Sequence, residues 1–318
     1  MPDSPRLQHL PIALFAMVMG LSGLTLVWQK CASIFDLPVT IGQGLLVLTG
    51  TLFALLLSAY GVKLMRHPDA VRAELNHPVK LSFFATITIS LILMGTATRH
   101  MLPDLSLTLW AVGASLHLVL TLFIVDRWMH HDHFQVKHIN PAWFIPAVGN
   151  ILVPIAGMTH GYEAASWFFF SIGLIFWMIL LTIIFYRIIF HDPLPGRLLP
   201  TLFILIAPPA VGFIAYVDMV DAIDPFARIL FNTGLFMTLL VASQIGRFAR
   251  LPFFLSFWAY SFPLAAMTIA TLIYQQHTGT GWAQWLSVAL ITVTTGVILW
   301  LSMLTLQAAG RGQICVPE

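Results

Sequence analysis

Four histidines crowd one short stretch of this 318-residue chain: His130, His131, His133 and His138, with Asp126 and Asp132 beside them. Imidazole and carboxylate at this density are the donors of zinc and iron sites. A membrane di-iron centre needs several such boxes with acids at helical spacing. This chain has one, so the cluster reads as a basic loop against lipid headgroups. His117 is the one group deep inside an apolar stretch, at membrane depth, that could exchange a proton near neutral pH. Alone, it reads as a hydrogen-bonded packing residue. No nucleophile and base stand at a spacing that argues for covalent catalysis, and no glycine-rich phosphate loop is present. The remaining candidates concern the backbone. Gly20, Gly23, Pro146, Gly149, Pro154, Pro208, Pro209 and Pro263 interrupt apolar stretches, and Phe262 directly precedes Pro263. These are expected pore-lining or helix-kink positions. No metal, cofactor or enzyme activity is predicted.

The elements that hold these residues follow from composition. The chain is 58% hydrophobic and 9% charged, with a mean hydropathy of +0.88. Soluble domains carry roughly 25% charged residues, so this chain belongs in a bilayer. Its net charge of +2 argues against a nucleic-acid partner. Ten charge-free windows are legible: 10–28, 40–62, 81–98, 105–125, 141–160, 164–186, 198–217, 229–246, 251–275 and 282–310. Each approaches the ~20 residues that cross a bilayer as helix. The sequence therefore predicts one all-α membrane domain over 1–318, in contact with lipid. Trp28, Trp143 and Trp282 near window ends fit an interfacial belt. Twelve of the 15 Lys and Arg residues fall on the side of the termini. Basic residues favour the cytoplasm, so both termini are expected there. Cys31 and Cys315 then lie on opposite faces and cannot pair.

The windows come in pairs. Gly50, Gly113, Gly173, Gly234 and Gly296 recur every 60 to 63 residues, one in each even window. Every proline in a window interior belongs to an odd one. Proline removes a helix hydrogen bond, and freed backbone groups in a membrane must lie against protein or a wet cavity. Five helical hairpins in a quasi-fivefold ring are expected, with broken odd helices inside around a central pore and smooth even helices outside. Gly20 and Gly23 are the weaker breakers of the first window, which has no interior proline. Phe262 falls near mid-membrane in the ninth, where a bulky apolar ring can close a pore by steric block or dewetting.

Three stretches resemble the tellurite-resistance/dicarboxylate transporter family, which includes plant guard-cell slow anion channels. They are Tyr260-Ser261-Phe262-Pro263-Leu264-Ala265, the linker from Arg66-His67-Pro68 through Glu74-Leu75-Asn76-His77-Pro78, and Trp143-Phe144-Ile145-Pro146-Ala147-Val148-Gly149. The resemblance implies a homotrimer with a separate pore in each protomer, five inner helices around each pore, and Phe262 as the occluding residue. It also implies a bacterial inner-membrane location.

The expected function is a passive channel for small inorganic anions such as chloride or nitrate. The alternative is a coupled carrier for C4-dicarboxylates or an exporter of tellurite. The absence of charge inside the windows argues against a carrier, as does the lack of an inverted repeat.

Overall fold

A computed structural model of the chain describes residues 6–130 and 134–316. Among these, nine helices are long and apolar enough to cross a membrane: Ile12–Phe35, Thr40–Arg66, Lys80–Thr98, Pro103–His130, Glu163–Phe190, Leu199–Val220, Pro225–Ala242, Leu255–Thr278 and Gly281–Gly310. A shorter apolar stretch, Pro141–Gly157, takes the fifth place. They are numbered below as spans one to ten in chain order.

The odd spans form a closed ring. Span one packs on span three, three on five, five on seven, seven on nine, and nine on one. Each even span lies against its own odd partner and the next odd span. Burial follows. Spans one, three, seven and nine are 67% to 78% buried over their apolar windows, against 17% to 33% for the even spans. An outer helix that bridges two inner ones exposes the rest of its surface to lipid, which explains why its hydrophobic residues show no polar face.

The repeated glycines lie where outer helices meet inner ones. A Cβ on Gly113 would come within 2.9 Å of Leu91 and 3.0 Å of the Ile92 nitrogen. One on Gly173 would collide with Ile151, one on Gly50 would press Met94 at 3.2 Å, and one on Gly234 would press Met267 at 3.2 Å. Gly296 differs, with open space around it.

Every odd span begins with a 3₁₀ turn and continues as α-helix. The α-segments start at Phe15, Ala85, Phe144 (again at Val153), Ala207 and Ser261. Spans one and three do this without an interior proline. Pro146, Pro154, Pro208, Pro209 and Pro263 all stand at the second or third residue of an α-segment. They therefore mark helix starts rather than mid-helix kinks, because the first-turn N–H groups have no intrahelical acceptor to lose. Phe262 is likewise helical, one residue past the 3₁₀-to-α junction. Gly20 and Gly23 break nothing, since the helix runs unbroken from Phe15 to Phe35. They let span nine approach: a Cβ on Gly20 would strike Ser261, and one on Gly23 would lie 2.8 Å from Ala265.

Outer span four services the broken fifth span. Thr121 Oγ1 donates to the Pro146 carbonyl at 2.7 Å, and Trp110 Nε1 to the Val153 carbonyl at 2.8 Å. His117, fully buried, holds Thr88 at 2.7 Å and packs against Gly149, which has no Cβ to displace it. Trp143 is buried and stacked on Trp128, so its ring packs against protein.

The helices outrun the charge-free windows. Lys30 lies inside span one, Lys63 inside span two, Arg187 inside span six and Asp218 inside span seven. The expectation of charge-free spans is corrected here: the end turns of a helix can carry charge where they reach water or a buried partner.

Candidate functional site

The inner spans enclose a cavity of about 210 Å³. Every one of the five contributes to its wall: Leu26 from span one, Leu93 from three, Leu152 from five, Val211 from seven and Phe262 from nine. Further wall residues recur three or four positions later on each helix, so one face of each inner helix lines the space. On span nine the wall runs from Phe262 through Ala266 and Ile269 to Ile273. Phe262 is thus the span-nine wall residue nearest the start of its α-helix. Its ring is half-buried, and its Cδ2 lies 3.4 Å from where a Gly23 Cβ would stand. Of the candidates named from sequence, only Phe262 lines this cavity. Gly20, Gly23 and Gly149 are packing positions, and the prolines sit in the first turns described above.

Residues 9–306 match the voltage-dependent anion channel (SLAC1) family. The chain belongs to that family. The three stretches quoted for the resemblance all fall inside the matched region. The S-type anion channel SLAH3 of Arabidopsis thaliana is 27% identical over 309 residues, covering 95% of this chain and 49% of that protein. The tellurite resistance protein TehA homolog of Haemophilus influenzae is 25% identical over 307 residues, covering 96% and 92%. An uncharacterized transporter of Methanocaldococcus jannaschii is 28% identical over 286 residues, covering 82% of each. The chain spans about half the length of the plant relatives SLAH3 and SLAH2 (49% and 54%).

In this SLAC1-family chain the mouth carries what the sequence reading missed. Lys30, Arg99, His100 and Asp218 line the cavity at the end where the inner helices finish. Lys30 Nζ donates to Gln276 Oε1 of span nine at 2.8 Å. Arg99 Nη1 donates to the Ile155 carbonyl of span five at 3.0 Å. Desolvation lowers the His100 pKa from its ordinary value, and the neighbouring Arg99 adds to this, so His100 is neutral near pH 7. The fixed charges of the mouth are then two cations and one carboxylate. Deeper in, the named wall residues are apolar. A fold-level signal existed: Lys30, Arg99 and Asp218 each fall at the end of an odd window.

His131, Asp132 and His133 lie outside the described residues. His130 ends span four and is held by Asp126, 3.2 Å away. Among the described residues no three His, Cys, Asp or Glu side chains converge as a metal site would require.

Proposed function

We propose that this chain is a passive anion channel, conducting small monovalent anions such as chloride or nitrate along the axis of its inner ring, with Phe262 as the gate. The observation that carries the reading is a cavity walled by all five inner spans, with Phe262 where the span-nine wall begins. Family membership supports anion conduction, and the relatives named S-type anion channels share the matched region. Below the mouth the cavity wall carries no charged group to bind an anion tightly, so passage there would favour anions that dehydrate easily. The long α-segments of spans one, three, seven and nine begin only after a 3₁₀ turn, so their N-terminal, positive ends fall inside the spans, the one of span nine next to Phe262. That field favours anions over cations without a fixed charge. A homotrimer with one pore per protomer, an inner-membrane location and cytoplasmic termini complete the proposal.

Phe262→Ala should raise anion current roughly tenfold or more, which corresponds to a barrier lower by about 1.4 kcal/mol. Two-electrode recording in oocytes, with surface protein quantified, measures this. Unchanged current in a variant that reaches the surface would remove Phe262 as the gate. Saturable malate counterflow in proteoliposomes would favour a carrier instead.

A further inference from the structure

The mouth of the cavity poses an electrostatic problem for an anion. All five inner helices end there, and helix C-termini carry the negative ends of the dipoles. Left alone, this face would repel the species the pore conducts. Lys30 stands in the last turns of span one, and Arg99 caps the end of span three. The position of Arg99, at the C-terminal end of its helix, is favourable for a cation. Neither is free to swing away: Gln276 tethers the Lys30 ammonium and the Ile155 carbonyl tethers the Arg99 guanidinium. Each retains donors that these partners do not use.

Asp218 breaks the local rule. A carboxylate in the last turn of span seven is disfavoured by its own helix dipole. It also lines the cavity, where it is exposed. It lies within Coulombic reach of Arg99, Lys30 and His277, with Asp221 as the opposing charge. A residue that violates local electrostatics with no structural gain is a candidate for function.

We propose that Lys30 and Arg99 form an anion-capture site at the mouth, and that Asp218, on the same cavity wall, is its built-in opponent, a carboxylate that weakens the pull of the cationic pair on a permeant anion. The ligand class is a small monovalent anion. Capture without this opponent would be tight and slow to release, and conduction requires sites that are weak enough to leave. Asp218 supplies that weakness. The inference rests on the channel reading above and extends it to selectivity.

The test uses the full-length Phe262→Ala protein, so that current reports the mouth and not the gate. Conductance is measured against chloride concentration, and again with nitrate. Asp218→Asn should lower the half-saturating concentration roughly threefold or more, as expected for removing a like charge from the wall of a watery mouth. Arg99→Gln should raise it by a similar factor. Lys30→Gln is the second cation variant should Arg99→Gln misfold. An adverse effect of Asp218→Asn on maximal current at saturation, with tighter capture, also supports the opposing role. Half-saturation unmoved by all three substitutions, in channels that conduct, overturns the capture site and leaves the pore reading standing. No anion current from Phe262→Ala itself overturns the pore reading first.

Discussion

The linker between spans two and three is pinned by a buried charge pair whose removal has a defined signature. Lys63 is 1% exposed and donates to Glu74 Oε2 at 2.7 Å and to the Leu10 carbonyl at 2.8 Å. Glu74 also accepts from the Tyr60 hydroxyl at 2.6 Å and from the Ile12 N–H at 3.3 Å. The cluster ties the helix Pro68–Asn76 to the start of inner span one. Lys63→Met deletes the ammonium and strands a carboxylate with two neutral donors. Breaking one side of such a pair costs about 3–5 kcal/mol. Glu74→Gln strands the ammonium and should cost a comparable amount. The double variant Lys63→Met/Glu74→Gln removes both charges, while the amide oxygen can still accept from the Ile12 N–H and the amide NH2 can donate to the Tyr60 hydroxyl oxygen, which also accepts. Its cost should stay below about 2 kcal/mol, the scale of one lost hydrogen bond plus repacking. The coupling between the two sites is then several kcal/mol, far above the ~0.5 kcal/mol of independent residues. Equilibrium unfolding in mixed micelles with rising SDS gives all three values. Additive single variants, or single variants within about 1 kcal/mol of wild type, would refute a buried pair that is needed to seat span one.

Two further outcomes follow from the same physics. Gly173→Ala drives a methyl into Ile151 and should lower stability and yield sharply, whereas Gly296→Ala meets open space and should leave unfolding within about 0.5 kcal/mol of wild type; similar effects from both would undo the packing account of the repeat. Asp224 caps span eight, its carboxylate held below its ordinary pKa first by the Ala227 N–H and then by the Tyr216 hydroxyl. A depressed carboxylate stabilises above its unfolded pKa and loses that contribution as pH falls through 3.8 toward the folded value. Asp224→Asn should therefore flatten the acid limb of thermal melts taken from about pH 6 to about pH 3, and an unchanged limb would assign acid sensitivity elsewhere.

The architecture was legible where it depended on composition along one helix. Apolar windows revealed the bilayer, and the confinement of interior prolines to odd windows revealed the inner ring. Phe262 stood out because one bulky ring precedes a proline at mid-membrane. What stayed hidden needed either helix ends or tertiary contacts. Lys30 and Asp218 fall outside the charge-free windows, yet α-helix continues through both. The 3₁₀-to-α junctions of spans one and three have no proline to announce them. Gly20 and Gly23 looked like breakers in a string of letters, and only the seating of Ser261 and Ala265 against them gives their purpose. Lys63 and Glu74 lie 11 residues apart on two helices, so no periodicity joins them.

The ring also bears on how a gate can work. Each outer helix bridges two inner helices, and the inner ring closes on itself. No inner helix can rock as an independent body without separating an outer helix from one of its two partners. Alternating access moves one repeat against another, and this arrangement resists it. Opening then falls to a local element, and a side chain such as Phe262, half-buried in the cavity wall beside Gly23, needs no helix to move. A cross-link between spans two and three distinguishes these modes. Gly50 of span two faces Met94 of span three, so Gly50→Cys and Met94→Cys can be joined by a short bifunctional reagent in a Phe262→Ala background. Local gating predicts anion current within about twofold of the uncross-linked variant, since the pore wall is unchanged. Loss of current on cross-linking, restored by cleaving the reagent, would show that the inner helices must move and that the ring is not the rigid frame its contacts describe.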